Sequence, residues 1–389
     1  MTQPGQDLLI VGGGPVGASL AIALAGSGLH VTLLEARPDV SSSKDDRTLA
    51  ISYGTRLILE RLGIWDALET VTPIDTIHVS QRGGFGRSLL AAGEIGVPAL
   101  GYVLRYASLQ ELLGKALAKA PQVELISGAQ AETLAQGTDT VSLQYRREGQ
   151  SHSISARLLV IADGGVSLAQ QAGAIIKSRE YEQEAVVGVL ETSRPHGFRA
   201  FERFTAEGPV ALLPFEDRYA LIWTAAPEAA ARLLALPEQA FLHALQRHFG
   251  DRAGRFLSIG ALARFPLSLR YALDPVLPRA VLLGNAAQAL HPIAGQGFNL
   301  GLRDAWDLAQ IIRSVGNGDP GAQASLARYR SIRRLDRMSG IAITDSLVRI
   351  FSNDVGPLRA LRGGGLAMLD LMPAAKRAFV QRMIFGGAL

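Results

Sequence analysis

The sequence predicts an α/β protein, in which a Rossmann-like domain carries an inserted, mostly antiparallel β-sheet and is followed by a helical C-terminal tail. An apolar strand at Asp7–Val11 enters a glycine-rich turn and a helix at Pro15–Ser27, and a second apolar strand follows at His30–Glu35. Such a βαβ unit begins a parallel sheet. The short, glycine-rich, alternating pieces between residues 72 and 100 are instead typical of a second sheet.

The remaining elements continue both patterns. Helical spacing predicts helices near Thr55–Leu62, Ser108–Lys119, Glu238–Phe249 and Leu302–Ser314, the last beginning near Phe298. Strands are predicted at Val123–Ile126, Thr140–Arg146, His152–Ala156, Arg157–Ala162, Ala185–Leu190, Ala220–Thr224 and Ala280–Leu283. The tail from Ser325 reads as helix interrupted at Pro357, Gly363–Gly365 and Pro373. We predict one discontinuous domain of residues 1–71, 101–176 and 276–345, a second of 72–100 and 177–275, and a tail of 346–389.

Composition limits the possible chemistry. The 389 residues are 48% hydrophobic, enough for two domains, and the absence of cysteine excludes disulfides, thiolate metal sites and cysteine nucleophiles. The seven histidines lack metal-ligand spacing, so we predict no metal site. Asp7 and several glycines interrupt the apolar start, and no run of about 18 apolar residues follows. We therefore expect a cytoplasmic protein without a secretory signal, a membrane span or a nucleic-acid partner.

The turn Gly12-Gly13-Gly14-Pro15-Val16-Gly17 has the spacing of a dinucleotide-binding loop. Gly12 permits the tight turn, Gly14 lets a pyrophosphate approach the backbone beside a helix N-terminus, and Gly17 allows close packing of helix on strand. Glu35 ends the second strand about 20 residues on, where a carboxylate accepts hydrogen bonds from a ribose. The pattern predicts an adenine dinucleotide without separating FAD from NAD, and a ligand-free turn is the alternative.

A distant segment favours a flavin. Residues 280–304 read AVLLGNAAQALHPIAGQGFNLGLRD, a buried strand ending at Gly284-Asn285, a loop with Pro292, Gly295 and Gly297, and a helix. Glycine is needed where backbone approaches a flat ring, and a helix N-terminus stabilises negative charge on a reduced ring. A purely structural loop is the alternative.

With these motifs the chain resembles the flavin-dependent aromatic hydroxylases built like p-hydroxybenzoate hydroxylase, and within them the ubiquinone-biosynthesis branch. The N-terminal glycines with Glu35, the pair Asp163-Gly164 after a strand, and the segment from Gly284 to Asp304 occur in the family's order and cover nearly the whole chain. Most relatives have Gly-Asp where this chain has Gly284-Asn285. The asparagine variant is most similar to the 2-polyprenyl-6-methoxyphenol hydroxylases.

The resemblance implies a site for FAD. Gly12, Gly14, Gly17 and Glu35 would hold the ADP half of the cofactor. The other implied cofactor residues are Arg47 near the pyrophosphate and ribitol, Arg105 as a second arginine, Asp163 in a motif associated with flavin and nicotinamide, Gly284 and Asn285 at the ribitol, and Gly295, Gln296, Gly297, Phe298 and Asn299 around the isoalloxazine ring. His291 and Pro292 adjoin this loop as candidate catalytic residues. His291 has a suitable pKa for a proton relay, and a structural hydrogen bond is the alternative.

The resemblance also implies the reaction. NAD(P)H, bound transiently, would reduce FAD, O₂ would add at flavin C4a, and the resulting C4a-hydroperoxyflavin would hydroxylate a lipophilic phenol. We therefore predict an FAD-dependent monooxygenase acting on a polyprenylated phenol in ubiquinone biosynthesis. Two alternatives stay open: another FAD oxidoreductase, such as a prenyl reductase or amine oxidase, and a non-catalytic, FAD-stabilised scaffold in a quinone-synthesis complex.

The tail is both basic and apolar. From Ser325 onward, eleven arginines and lysines stand against four aspartates, and apolar residues alternate with them. Such a segment suits an anionic membrane surface, which would put the protein on the inner face of the cytoplasmic membrane. It also suits a partner in a quinone-biosynthesis complex, or packing on the protein's own body, and the sequence leaves the three alternatives open.

Overall fold

The computed structural model describes residues 6–41, 45, 47–84, 86–291, 295–316, 318–351 and 356–387. The strands in chain order are β1 (Gln6–Val11), β2 (Val31–Glu35), β3 (Thr48–Ser52), β4 (Val71–Ile74), β5 (Thr76–Gln81), β6 (Arg87–Ala91), β7 (Gly101–Arg105), β8 (Val123–Ser127), β9 (Ala129–Gln136), β10 (Val141–Arg147), β11 (Gln150–Ile161), β12 (Ile176–Thr192), β13 (Arg199–Phe204), β14 (Val210–Phe215), β15 (Arg218–Ala225), β16 (Phe256–Ile259), β17 (Ala263–Ala272), β18 (Val276–Leu277), β19 (Ala280–Leu282) and β20 (Gln288–Ala289). The helices are α1 (Pro15–Leu24), α2 (Tyr53–Arg61), α3 (Tyr106–Leu117), α4 (Ser167–Gln171), α5 (Pro227–Leu234), α6 (Glu238–Phe249), α7 (Gln296–Val315), α8 (Gln323–Phe351), α9 (Gly356–Leu371) and α10 (Pro373–Phe385).

The first sheet is Rossmann-like. Its strands follow the order β18-β19-β11-β1-β2-β8, with β9 and β10 joined along β11. β1 pairs in parallel with β11 and β2 on its two sides, and β11 pairs in parallel with β19. α1, α3 and α7 cover one face of the sheet over an aliphatic core. Because parallel strands end at the same edge, the residues that follow β1, β2, β11 and β19 meet there. We call this the carboxyl edge.

The second sheet is mostly antiparallel, as predicted. Its order is β20-β17-β12-β15-β14-β13-β5-β6, with β16 beside β12, and β13 with β5 is a parallel pair. α5 and α6 pack on its outer face over an aromatic core that includes Trp223, Phe241 and Phe249. A three-stranded sheet, β3-β7-β4, lies between the two larger sheets. The exact domain boundaries stay a prediction.

A buried ion-pair network fixes α7 to α8. The Arg333 side chain is 3% exposed and lies 2.7 Å from Asp304, 2.9 Å from Asp307 and 2.7 Å from Asp336. Arg303 also pairs with Asp336, at 2.9 Å. Removing one member would leave its partners as uncompensated charges in the interior, which costs about 3–5 kcal/mol. The network therefore holds the first turns of α7 in one position.

Two predicted details are wrong. The strands predicted at His152–Ala156 and Arg157–Ala162 form the single strand β11, whose first half pairs antiparallel with β10 and whose second half pairs parallel with β1. In the tail, Gly363–Gly365 does not interrupt the helix, because α9 runs through it. The backbone of α9 contacts β6 so closely that a side chain at Gly86 would overlap the carbonyl of the first of these glycines. Tertiary packing there outweighs the low helix propensity of glycine.

The described part of the tail packs on the protein's own body. Pro357 and Pro373 lie in the first turns of α9 and α10, where proline is favoured and the helix starts anew. Val380 and Ile384 of α10 are each 4% exposed, and the Ser52 hydroxyl donates to the Ile384 carbonyl oxygen at 2.9 Å. Among the described helices, none combines the length and apolar character that a membrane span requires.

Candidate active site

The turn between β1 and α1 contains two kinds of glycine. Gly12 has a φ of +106°, and a side chain there would come within 2.5 Å of the Ala162 carbonyl oxygen. A side chain at Gly17 would overlap the carbonyl oxygen of Gly12, so packing requires both glycines. No atom of the described part of the chain lies within 4 Å of the position that a side chain at Gly14 would take. Gly14 therefore faces open space at the N-terminus of α1, an arrangement that binds phosphate groups.

Glu35 lies at the end of β2 beside this turn. One carboxylate oxygen accepts the Gly13 amide at 2.6 Å, and the other accepts the Arg37 amide and guanidinium, both at 2.8 Å. Burial alone would raise the pKa of Glu35, but these hydrogen bonds, mainly from Arg37, hold that pKa below its ordinary value. The carboxylate is therefore ionised and fixed at neutral pH, as a ribose-binding acid requires.

Sequence reasoning missed two residues that support this turn. Arg37 orients Glu35, as described above, and its guanidinium also donates to the Gly13 carbonyl oxygen at 3.4 Å. Gln110 is fully buried in α3 and donates to the carbonyl oxygens of Gly13 and Val40 at 2.9 and 2.7 Å. Gln110 could have been found from the sequence, because it is a glutamine next to Leu109 on the apolar face of an amphipathic helix.

Asp163, Gly284 and Asn285 meet at the same edge, following β11 and β19. Asp163 accepts the Gly165 amide at 3.0 Å, and partial burial raises the pKa of its carboxyl. Gly284 has a φ of +57° and packs against Val16 of α1. The exposed Asn285 side chain begins close to the Asp163-Gly164 turn, since a side chain at Gly164 would lie 3.7 Å from the Asn285 Cβ. The structure thus brings these three predicted residues together with the Gly12 turn.

The predicted ring-binding loop runs into α7. Gly295 adopts a left-handed conformation, with φ +60°, immediately before the helix begins at Gln296. Among the described residues, no atom lies within 4 Å of the position that a side chain at Gly297 would take. The first turn of α7 therefore presents open backbone, with the half-buried Phe298 beside it, as the close approach of a flat ring requires.

The Asn299 side chain is held by hydrogen bonds to the protein's own groups. Its side-chain oxygen accepts the Ser52 amide at 2.8 Å and the Thr55 hydroxyl at 2.7 Å, and its side-chain nitrogen donates to the Gly295 carbonyl at 2.6 Å. These bonds join the first turn of α7 to β3 and α2. Asn299 shapes the loop through the protein's own groups, and direct cofactor contact by this side chain stays a prediction.

Of the two catalytic candidates, His291 lies within the described residues and Pro292 does not. His291 is 1% exposed, and burial lowers the pKa of its imidazole to about 4, so the ring is neutral at neutral pH. It packs edge-on against Tyr181, with ring centroids 5.6 Å apart, and the Tyr181 hydroxyl donates to Asp345 at 3.0 Å. Pro292 lies outside the described residues. A role for either in proton transfer stays a prediction.

Arg47 lies just before β3, and Arg105 lies at the end of β7. The two strands pair with Thr48 opposite Arg105, so the two arginines are neighbours. Arg47 pairs with Asp45 at 2.8 Å and lies over the Phe265 ring of the second sheet at 5.2 Å. Arg105 pairs with Glu216 at 2.6 Å. Both guanidinium groups thus join the three-stranded sheet to the second sheet, and their predicted cofactor contacts stay predictions.

A cavity of about 560 Å³ lies between the first turn of α7 and the inner face of the second sheet. β3 and Gly295–Asn299 border one side of it, and α9 and α10 close another. Its lining is mainly aliphatic and aromatic, and Glu202 is the single ionisable side chain among the described lining residues. Its volume and composition are those of a site for an apolar small molecule.

The residues present fit FAD. Gly14 and Gly297 leave open backbone at two places on the carboxyl edge. The Asp163–Asn285 corner lies between them, and the ionised Glu35 lies on the other side of Gly14, at the end of β2. Only an elongated ligand with a phosphate-bearing nucleotide and a flat ring would use both openings. The apolar cavity begins where the ring would end.

Comparisons with known proteins agree. A family model described as an FAD binding domain matches residues 6–339. The chain is 37% identical to ubiquinone hydroxylase UbiL of Rhodospirillum rubrum, over 96% of this chain and 88% of that protein. It is 34% identical to 3-demethoxyubiquinol 3-hydroxylase of Escherichia coli, over 97% and 98% of the two chains. It is 30% identical to ubiquinone biosynthesis monooxygenase COQ6 of Homo sapiens, over 95% and 90%.

Solved structures share the fold. The p-nitrophenol 4-monooxygenase PnpA from Pseudomonas putida aligns with a TM-score of 0.83 at 19% identity, over 100% of both chains. PqsL, a probable FAD-dependent monooxygenase from Pseudomonas aeruginosa, aligns with a TM-score of 0.76 at 20% identity, over 93% of this chain and 99% of that one. At these identities the likeness confirms the predicted fold and nothing finer.

Proposed function

Because this chain belongs to the family of FAD-dependent aromatic hydroxylases, we propose that it hydroxylates the ring of a polyprenylated phenol in ubiquinone biosynthesis, with NAD(P)H and O₂. The family match covers most of the chain and confirms FAD as the cofactor. The relatives that are named hydroxylases or monooxygenases support monooxygenation as the reaction class. The names of the relatives UbiL and COQ6 support the quinone pathway.

The apolar lining of the cavity supports the proposed substrate class. The cavity bordered by Gly295–Asn299 is lined on its other sides by apolar side chains of β5, β6, β13 and β14 and by α9 and α10. A phenolic ring placed against the loop would have its prenyl chain among aliphatic groups, and burying that chain stabilises the complex by about 25 cal/mol per Å² of apolar surface. A small, charged aromatic acid would find only one ionisable group there, and a carboxyl would repel it.

The chain's own residues prepare the site for its cofactor. When bound, FAD supplies the redox chemistry that lets O₂ react with an aromatic ring. In this proposal the turn Gly12–Gly17 and the N-terminus of α1 hold the pyrophosphate, Glu35 holds the ribose, and Asp163 with Asn285 holds the ribitol. The first turn of α7 supports the ring, and its N-terminal dipole favours negative charge there.

The helices of the tail exclude water from the reacting centre. Phe379, Val380, Met383 and Ile384 of α10 line the cavity directly beside the α7 loop. Water would divert activated oxygen to hydrogen peroxide, so an apolar cover over the ring increases the share of oxygen transferred to substrate. Efficient coupling is therefore an expected property of the intact chain.

We also propose that the tail touches the membrane from which a lipophilic substrate enters. Met368, Leu371 and Met372, at the junction of α9 and α10, are 61%, 81% and 45% exposed, although the same helices line the cavity. The exposed Arg377 lies one turn further on. Exposed apolar side chains beside a basic residue are the pattern of a segment that lies on an anionic bilayer.

The catalytic proposal is tested with purified protein reconstituted with FAD. We expect a flavin absorbance band, NAD(P)H oxidation and O₂ uptake stimulated by 2-geranylphenol, and a product heavier than the probe by one oxygen atom. A protein that takes up no flavin contradicts the cofactor assignment. Bound flavin whose reduction and product formation are indifferent to the phenol contradicts the reaction and favours the scaffold alternative.

The membrane proposal is tested by co-sedimentation with vesicles containing a third phosphatidylglycerol. We expect the double variant Leu371→Ser and Met372→Ser to bind several-fold less than the parent while keeping FAD. The matched control is Leu257→Ser, a 44% exposed leucine on β16, far from the tail junction along the second sheet. Equal binding of the parent and the tail variant would overturn the proposal.

A further inference from the structure

Glu202 occupies the middle of the cavity's floor. In β13 it pairs with Ala211 of β14 on one side and with Val79 of β5 on the other. The row continues to Ile222 of β15 and Ser88 of β6, and all five side chains line the cavity. The carboxyl group is therefore held on rigid strands of an inner sheet, in a row that is otherwise aliphatic except for one hydroxyl.

The carboxyl group has no protein partner among the described residues. Glu202 makes no hydrogen bond and no ion pair with them, although it is half-buried. Burial raises the pKa of Glu202 to about 7. Leaving a polar group desolvated and unpaired is destabilising by about 1–3 kcal/mol. A ligand that donates a hydrogen bond in the cavity would remove that cost.

The surrounding charged groups point elsewhere. His78 of β5 and Arg203 of β13 alternate to the outer face of the sheet, towards α6. On the helices above the cavity, Lys376 pairs with Asp370 at 3.1 Å and with Glu94 at 3.0 Å, and none of the three lines the cavity. The described cavity residues of β3, β5, β6, β14, β15, α7, α9 and α10 contribute no titratable side chain.

We infer that Glu202 is a catalytic residue that binds the phenolic hydroxyl of the substrate and takes up its proton during hydroxylation. This rests on the proposed function, since it requires a phenol in the cavity. A hydroxyl donor is the one polar group that such a phenol must bring into the apolar space. Glu202 would also fix which ring carbons face the first turn of α7, because strand pairing holds Glu202 and the buried ion pairs hold that turn.

Glu202 accepts the phenolic proton early in the reaction and returns it at the end. The phenolic O–H bond breaks as the ring is oxidised, its electron pair enters the ring, and the proton passes to a Glu202 carboxylate oxygen. The attacked carbon, ortho or para to the hydroxyl, bonds to one atom of O₂ and releases its hydrogen as a proton. NAD(P)H supplies two electrons with its hydride, and the second oxygen atom leaves as water. The ring proton, the hydride hydrogen and one proton from solvent together provide the three hydrogens of the new hydroxyl group and of the water. When the ring is aromatic again, its oxygen recovers the proton from Glu202, which restores the carboxylate.

The protonation state of Glu202 sets how kcat/KM depends on pH. Only ionised Glu202 accepts it, so kcat/KM rises with pH up to about 7 and then levels off. Above that pH the phenol also binds more tightly than its methyl ether, which has no hydrogen to donate. A hydrogen bond to a charged group contributes about 1.5–3 kcal/mol, or roughly 10- to 100-fold in Kd.

The test uses the FAD-loaded protein with 2-geranylphenol and its methyl ether, and compares Glu202→Gln and Glu202→Leu with the control Glu191→Gln. Glu191 is an exposed residue of β12 in the same sheet and does not line the cavity. We expect Glu202→Gln to retain FAD, to hydroxylate about 100-fold more slowly, and to lose the rise of kcat/KM below pH 7. In Glu202→Leu, equilibrium dialysis should give the phenol and its ether equal Kd values.

The outcomes separate this inference from the proposed function. If the parent protein hydroxylates the probe but Glu202→Gln keeps both its rate and its pH profile, the role of Glu202 is overturned and the function stands. If the parent prefers phenol to ether and Glu202→Leu keeps that preference, the binding role is overturned as well. If the parent does not hydroxylate any prenylated phenol, the proposed function fails first, and the inference falls with it.

Discussion

The carboxyl edge of the first sheet and the inner face of the second sheet border the same site with different groups. At the edge the contacts come from backbone, in turns where Gly12 and Gly17 admit no side chain. The inner face presents side chains from neighbouring strands, nearly all aliphatic. A change at Gly12 or Gly17 therefore disturbs the fold and the cofactor together, whereas a change on the inner face alters what the cavity accepts. α7 borders both regions, since it covers the first sheet and its first turn lines the cavity.

The largest effect on stability is expected when the buried ion-pair network that fixes α7 to α8 is broken. Arg333→Met leaves Asp304, Asp307 and Asp336 without their common partner in the interior. We expect a loss of about 3–5 kcal/mol in the free energy of unfolding, with loss of FAD at ordinary temperatures. Thermal and urea unfolding monitored by flavin release measure both.

The control for this prediction lies on the same helix. Arg330 pairs with Asp274, and both side chains are nearly half exposed, 47% and 45%. Exposed ion pairs contribute about 0–1 kcal/mol, so Arg330→Met should stay within that range. Equal destabilisation by the two variants would show that the buried network does not fix α7.

Two alanine substitutions distinguish, within the carboxyl edge, a glycine required for packing from a glycine that faces the cofactor. Gly17→Ala forces a side chain onto the Gly12 carbonyl oxygen, and such overpacking costs about 1–3 kcal/mol even before FAD is added. Gly14→Ala has open space around it, so the apoprotein should keep its stability while the Kd for FAD rises at least tenfold. Unfolding of the two apoproteins, followed by fluorescence titration with FAD, checks both; a destabilised Gly14→Ala apoprotein contradicts the assignment.

On the inner face, Ala211→Leu should change the substrate site alone. Ala211 lies next to Glu202 in the cavity floor and is 7% exposed. Added methylene groups in an apolar pocket change binding by about 1–3 kcal/mol, so we expect KM for 2-geranylphenol to rise at least tenfold. FAD affinity should not change, and Ala231→Leu on the exposed face of α5 should match the parent. A loss of FAD in Ala211→Leu would contradict the separation of the two regions.

The smallest effect is expected at Asn285. Asn285→Asp introduces a carboxylate on an exposed side chain at the carboxyl edge. A carboxylate accepts hydrogen bonds about twice as strongly as an amide oxygen, so the Kd for FAD should fall by a few-fold. Flavin fluorescence titration measures it, and a tenfold weaker Kd would place Asn285 away from the ribitol.

The edge could be predicted from sequence, and the reason is physical. Gly12 and Gly17 are required by close backbone approach, and Gly14 would be required by the approach of a pyrophosphate, so their spacing is fixed along one short segment. The same holds for Gly284 and Gly295, whose positive φ values only glycine adopts readily. Residues constrained in this way leave a local pattern.

The inner face leaves no such pattern. Glu202 resembles any other strand glutamate until β5, β13 and β14 are paired, because its neighbours in the cavity lie far away along the chain. Arg37 and Gln110 were missed for the same reason, since each acts through contacts with the Gly13 turn. In the tail, local propensity predicted a break at Gly363–Gly365, and packing on β6 overrode it.

The bond between the Ser52 hydroxyl and the Ile384 carbonyl has a consequence for synthesis. The ribosome makes the carboxyl edge and both sheets before α10, and domains generally fold in that order. Until residues 379–384 emerge, the cavity lacks its cover and its apolar lining faces solvent. α10 is therefore the last of the described lining elements to be made, and the cavity is covered only after it has packed.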